Sequence, residues 1–588
     1  MTEKALHDNH SLRELFGFFG TILGPEKSYY WLAAVYGVGI SALSLALPIS
    51  VQMLVNTVAN TGLTTPLVVL STSLFVLLLT AALLNALRIH VTDLFQRRFY
   101  ARMVSEIALR SIYALNPFFH DLNKGSLFNR YFDIIIVQKS IPQLLIGGFT
   151  VVIQAVFGFI LVSLYHPLFL VFNLIIALLI WAIWLIWGGR AIRSAVEVSH
   201  KKHAAAAWLE GLGGSNGFFK SERHIAEALG RTDAVTNDYI DAHVKHFRHY
   251  FSQAICFLLL YASASAGLLG LGGWLVIQGQ LSLGQLVAAE LVLTGVFYGL
   301  SQFGTYLGHF YELCGALDEL SLFYGIEQEE ADDSAEPFEG DASIEFVGAR
   351  GDARGHQCTL DFTIRSGARV LGAAETHGQQ RELTSFLKRH SRPTNGYIAL
   401  GGNDINGVQA HALRQQIIVL DRPNAIEMTI REYLRLSGKG ASSHRILEAL
   451  RTVGLEVAIA QLEDGLDTRV APTGWPLTIT ETMQLKLAAA IIANPRVLVL
   501  GQLFDTMPDD LLERSMDSLQ EDGQTTIIYF SARPRDLGFD TFLYLGYSDQ
   551  YLFGTFEELC EYSEARLCEA SGLGGREGAS DGPLVPAT

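Results

Sequence analysis

The chain has 588 residues, 49% of them apolar and only 17% charged, with a mean hydropathy of +0.27. That length exceeds one compact core, and that balance excludes both a disordered chain and an ordinary soluble enzyme. With 43 basic against 59 acidic residues the formal charge is −16, so the broad basic surface of a nucleic-acid binder is excluded as well. Cys256, Cys314, Cys358, Cys560 and Cys568 form no C-x-x-C pair, and neither a disulfide framework nor a structural zinc site is expected.

Residues 1–10 are polar and carry no signal-peptide pattern. Leu12, Leu15, Phe16, Phe19 and Leu23 recur at helical spacing and predict an amphipathic interfacial helix, so residues 1–28 are expected to form an N-terminal elbow segment. Six apolar stretches follow, at 29–55, 66–95, 141–164, 167–188, 250–278 and 282–312, each long enough to cross a hydrocarbon layer that takes about 20 helical residues. Tyr165-His166-Pro167 predicts a tight turn between the third and fourth, and Gly279-Gln280 a break between the fifth and sixth. Between spans two and three, and between four and five, polar residues with sustained apolar periodicity predict helices extending beyond the bilayer. Their tips are expected at Asn116-Pro117 and near Gly211–Gly214.

Basic residues set the expected orientation. Arg88, Arg97, Arg98, Arg102, Arg110, Lys124, Arg130 and Lys139 lie in one long connection, and Arg190, Arg193, Lys201 and Lys202 in the other, whereas the connections near 56–65, 165–167 and 276–284 hold no Lys or Arg. The positive-inside rule places both long connections, the N-terminus and the C-terminal half in the cytoplasm of a multi-pass inner-membrane protein. Within the sixth span, Glu290 is a carboxylate costing about 2.5–3.5 kcal/mol on insertion scales, which marks it as an intramembrane functional candidate. His243, His246 and His249 recur every third residue and read as a wet helix face, with no metal site expected; Tyr306, His309 and Glu312 read as interhelical contacts.

Residues 321–341 form an acidic linker containing Glu327, Glu329, Glu330, Asp332, Asp333, Glu336, Glu339 and Asp341. Beyond it the β-rich runs Arg369–Leu371, Ile417–Leu420, Val497–Leu500 and Thr526–Tyr529 alternate with helical stretches. That alternation predicts an α/β domain over 342–564 built on a buried parallel sheet. Residues 565–588, rich in Gly, Ser and charge, are expected to be a disordered tail.

Six spans with helical extensions followed by an α/β domain resemble a half-transporter of the ABC exporter family. The likeness covers about residues 10–560. Asn116 to Phe132 is similar to the family's first coupling segment, and Gly279 to Val287 to the start of its sixth span. Arg392–Ile398, Ala412–Ile417 and Gly554–Leu559 match its soluble domain, which the resemblance implies is a P-loop-NTPase-like fold. On that register the phosphate loop G-x-x-x-x-G-K-[ST] falls on Ala373, Ala374, Glu375, Thr376, His377, Gly378, Gln379 and Gln380. Gln379 replaces the Lys that neutralises phosphate charge, and Gln380 the hydroxyl that binds magnesium. The signature falls on Leu477, Thr478, Ile479, Thr480 and Glu481, where Ile479 stands for a glycine and Glu481 adds a charge of the wrong sign. Gly501 and Gln502 take the places of the magnesium-linked Asp and the Glu that activates water, and Ala532 that of the switch histidine. Pro508 replaces the Asp of the following loop, Asp421-Arg422 occupies the magnesium-sensing loop, and no aromatic residue between Phe346 and Phe362 is available to stack on adenine.

These readings imply an α-helical membrane domain at 29–320 joined to a degenerate nucleotide-binding domain, with no catalytic residue and no bound ATP, magnesium or other metal expected. The resemblance implies a homodimer or a heterodimer with another half-transporter, in contact with membrane lipids and a periplasmic adaptor, exporting a lipid, peptide or hydrophobic substrate. The other readings are a non-transporting scaffold or sensor and an ion-driven transporter relying on Glu290.

Overall fold

Inside hydrocarbon every backbone N–H and C=O must be paired within its own segment, and the apolar stretches of this chain meet that demand as helices. The computed structural model describes residues 12–58, 64–115, 124–329, 340–353, 356–438, 440–521, 523–533, 537–546 and 550–570. The chain divides into two units, Met1–Glu329 and Glu330–Thr588.

The first unit contains six helical segments long and apolar enough to span a membrane. Its first helix, α1 (Leu12–Leu23), leads through a short turn into α2 (Lys27–Ser44) and α3 (Ala46–Met53). Then come α4 (Thr64–Ile112), α5 (Asp133–Gln143), α6 (Phe149–Ser163), α7 (Pro167–Gly214), α8 (Glu222–Ile277) and α9 (Leu283–Ser321). The turn between α1 and α2 is fixed by charge. Glu26 is wholly buried, and Arg102 on α4 grips it with Nε to Oε1 at 2.7 Å and Nη2 to Oε2 at 2.8 Å. A bidentate pair of this kind holds orientation as well as distance.

Local chemistry ends the helices where the sequence suggests. Pro167 opens α7, and the His166 side chain accepts from the Leu168 N–H. Gly279 takes a left-handed φ of +69°, after which Ser282 and Gln285 form a reciprocal capping box at the start of α9. The α7 helix closes at Gly214, so the predicted tip near Gly211–Gly214 is observed; the other predicted tip, beginning at Asn116, lies outside the described residues through position 123. Between α5 and α6 the chain forms a wide turn at Leu144–Gly148. A Cβ at Gly147 would lie 2.1 Å from the Tyr306 ring, so only glycine admits this tyrosine between the helices.

In the second unit, β1 (Ile344–Ala353) pairs antiparallel with β2 (His356–Ile364) and with β4 (Asn395–Leu400), which β5 (Asn403–Asp404) extends. The main sheet runs β12 (Gln550–Phe553), β11 (Thr541–Leu545), β3 (Arg369–Ala374), β10 (Thr526–Phe530), β9 (Val497–Leu500) and β6 (Ile417–Leu420). Only the edge pair β11–β12 is antiparallel; β3, β6, β9, β10 and β11 are parallel. Val497–Leu500 and Thr526–Phe530 are buried throughout, as central strands covered on both faces must be. A short ribbon joins β7 (Met428–Thr429) to β8 (Arg469–Val470). Helices α10 (His377–Leu387), α11 (Ala410–Gln416), α12 (Ile430–Ser437), α13 (Ser443–Thr452), α14 (Glu456–Ala460), α15 (Ile479–Ala493), α16 (Asp509–Gln520) and α17 (Phe556–Ala570) complete the unit. The last helix runs past residue 564, six residues into the expected tail. Tyr562 packs on Tyr544, Tyr551 and Phe553, which anchors it to the sheet edge. The rest of the tail from 571, and linker residues 330–339, lie outside the described residues.

Candidate functional site

A phosphate-binding helix start needs backbone N–H groups that nothing else has claimed. At the phosphate-loop position β3 ends at Ala374 and α10 begins at His377, so only Glu375 and Thr376 connect strand to helix. Glu375 N donates to Leu545 O on the neighbouring strand at 2.9 Å. Thr376 is the N-cap, and its N–H donates to Gln379 Oε1 at 2.9 Å; the Thr376 hydroxyl lies 3.4 Å from the same oxygen. Gln379 N in turn donates to Thr376 O at 3.2 Å. Gln379 is wholly buried and Gln380 almost so, whereas Glu375 and His377 face solvent. The Gln379 carboxamide therefore folds back beneath the turn instead of projecting from it, and among the described residues its Nε2 has no partner. Ala373 and Gly378 frame the same turn.

The signature position repeats this arrangement on another helix. Thr478 caps α15, Glu481 N donates to its hydroxyl at 3.2 Å, and Glu481 Oε2 accepts from Thr478 N at 2.8 Å and from its hydroxyl at 2.9 Å. A carboxylate of the chain's own thus sits on the positive end of α15. Leu477 is buried beneath the turn, Ile479 is 58% exposed, and the Thr480 hydroxyl reaches Thr506 at 3.2 Å.

After β9, Gly501 N donates to Leu420 O at 2.9 Å, and a Cβ at Gly501 would come within 3.1 Å of Asp421 Cα, so a side chain there would press on the neighbouring backbone. Gln502 points to solvent. The buried carboxylate of this region is Asp505, three residues on. It accepts from the Tyr529 hydroxyl, from Ser531 Oγ at 2.7 Å and from Ala532 N at 2.9 Å, so it ties the loop after β10 to the turn after β9. In the sensing-loop region, Lys486 Nζ donates to Arg422 O at 2.7 Å, and burial pushes that ammonium below the usual lysine range. Phe346 and Phe362 are both buried with ring centroids 4.9 Å apart, so each ring's face is committed to the core.

Gln379, Gly378 and Gln380 thus lie together at one helix start and Thr478 to Glu481 at another, while Gly501 and Ala532 are linked through Asp505. Sequence reading missed Asp505 and both caps. The pattern T-x-x-Q at 376–379 and T-x-x-E at 478–481 was the available signal. In the first unit, Glu290 on α9 is half-buried, and its Oε2 has no hydrogen-bond partner among the described residues.

A bacterial Atm1-family ABC exporter with ATP bound superposes over 97% of this chain and 100% of its own, with a TM-score of 0.75 at 19% identity. This is the ABC exporter fold. Curated relatives of the chain are ABC transporters. The ABC multidrug transporter mdr2 of Aspergillus fumigatus is 27% identical over 580 residues, 92% of this chain and 70% of that one. The leukotoxin translocation ATP-binding protein LktB of Mannheimia haemolytica is 27% identical over 268 residues, 44% of this chain and 38% of that one. No family model matches. On this fold the two capped helix starts are those that the resemblance assigns to phosphate contact.

If the cap on α15 is structural, Thr478→Ala should cost about 1 kcal/mol. A fall of a few degrees in the unfolding midpoint of the purified full-length protein is the expected reading, and an unchanged midpoint would refute the cap's role.

Proposed function

We propose that this chain is a membrane subunit of an ABC-exporter-type system whose C-terminal domain does not hydrolyse ATP. The observation that carries the reading is that the N-cap N–H of each helix start is already taken by the chain's own side chain. Thr376 N is held by Gln379, and Thr478 N by Glu481. An entering triphosphate would have to displace a buried carboxamide at one site and face a resident carboxylate at the other. Gln502 lacks the basicity to activate water, a role worth about 10²–10⁴-fold in rate. Because both halves of the composite site are altered, pairing with an intact half-transporter would still leave each ATP position incomplete.

In this reading the chain works as a homodimer or beside another half-transporter, embedded in lipid and joined to a periplasmic adaptor. One set of six spans does not enclose the family's pathway. The cargo is a lipid, a peptide or a hydrophobic small molecule, a range in keeping with relatives named for multidrug transport and leukotoxin translocation. The distribution of Lys and Arg supports an inner-membrane protein with its N-terminus and C-terminal domain in the cytoplasm.

A second reading, export driven by an ion gradient, is favoured by Glu290. A carboxylate in a span is costly and marks a functional candidate, and Glu290 Oε2 is buried without a hydrogen-bond partner among the described residues.

Reconstituted in lipid, the protein should release phosphate from ATP only at background, with no change on Gln502→Ala; turnover that this substitution abolishes would contradict the first reading. Glu290→Gln should abolish pH-driven substrate movement in proteoliposomes if the second reading holds, and transport that persists unchanged in the variant removes it.

A further inference from the structure

In the first unit, the ends of α5, α7 and α9 converge on a buried set of charges that neither reading uses. Asp133, the first residue of α5, is 1% exposed; its Oδ1 accepts from Lys202 Nζ at 2.7 Å, and its Oδ2 lies 2.6 Å from His203 Nε2, both partners being on α7. One turn back on α7, His200 Nε2 lies 2.7 Å from Asp318 Oδ2 on α9, with Glu319 Oε1 at 3.9 Å. Glu319 is wholly buried; its Oε2 accepts from Arg130 Nε, just before α5, and its Oε1 has no hydrogen-bond partner among the described residues. Three helices are therefore tied at one level by Asp133, Asp318 and Glu319 on the acidic side, and by Arg130, Lys202 and two imidazoles on the basic side.

Charge balance makes this arrangement sensitive to protons. With both imidazoles neutral, three buried carboxylates face two permanent cations, and one negative charge is left uncompensated in a poorly solvated place. One proton, on His200, restores neutrality. Burial alone would lower the His200 imidazole, but its hydrogen bond to Asp318 and the nearby Glu319 outweigh that and push it above its usual range. Other charged or titratable groups along α7 come from α8, from α9 and from the segment before α5. Asp238 pairs with Lys201 at 2.6 Å, Glu197 with Lys245 at 2.6 Å, and Glu210 with Asn129 at 2.7 Å. These pairs are exposed, and salt screens them. His243 and His246 of α8 and His309 and Glu312 of α9 line the cavity beside Ser199 and Lys202, and His246 Nδ1 lies 3.0 Å from Ser194 Oγ.

We propose that this cluster is a proton-dependent clasp that holds the ends of α5, α7 and α9 together when His200 is charged and loosens them when it is neutral. The sign follows from the partners. A histidine stabilised in its charged form by a carboxylate contributes most in acid, and its contribution is lost as pH rises through its titration. Helix separation at this level is thereby coupled to pH without any nucleotide.

The test is hydrogen exchange of the full-length protein in nanodiscs between pH 6 and 8, corrected for intrinsic exchange rates. Peptides spanning Arg130 to Gln143, Ser199 to Glu210 and Leu313 to Ser321 should lose protection as pH rises, by about three-fold or more for a coupling of half a pKa unit or larger. Peptides over β9 and β10 should not change. In His200→Gln combined with His203→Gln the pH dependence should vanish. Wild-type protection independent of pH overturns the proposal without recourse to any variant, and so does an undiminished pH response in the double variant.

Discussion

A backbone N–H donates one strong hydrogen bond, and which acceptor takes it decides what a helix start can do. At the head of α10 the N-cap donor is given to Gln379 Oε1, and at the head of α15 to Glu481 Oε2. The macrodipole adds its own preference for negative charge at these ends, and Glu481 satisfies it from within the chain. The two helices are therefore complete as folded elements. The acceptors are Gln379, which the resemblance sets at the lysine of the phosphate loop, and Glu481, which it sets at the last position of the signature.

In the surrounding domain the central strands bury Val497–Leu500 and Thr526–Phe530 completely, and Asp505 holds Tyr529, Ser531 and Ala532. Gly501 is compatible with the close passage of Asp421 beside it, where a larger side chain would force a shift. The membrane unit draws on different physics. It uses glycine to bring helices close, as at Gly147 against Tyr306, and buried charge pairs to fix the ends.

Much of the architecture was readable before any coordinates. The six spans follow from uninterrupted apolar length, the turn at Tyr165–Pro167 from proline, and the parallel sheet from short β-branched runs buried on both faces. Contacts between distant segments were not readable. Asp505 meets residues some 25 positions away, and Asp133 meets Lys202 and His203 across three helical elements, so no local pattern announces either. The caps are a different case. Thr376 to Gln379 and Thr478 to Glu481 carry a local pattern, but matching them to a ligand-binding motif drew attention to the residues lost and away from the bonds gained. At the C-terminal end, the helix that Tyr562 anchors to the sheet edge runs on to Ala570, past the boundary at 564 that composition suggests.

At both helix starts the N-cap N–H is already taken by the chain's own acceptor. Calorimetric titration of the full-length protein with ATP and magnesium tests it most directly. The account predicts no saturable heat up to millimolar nucleotide. A stoichiometric isotherm with micromolar affinity, weakened by Gln379→Ala, would contradict it.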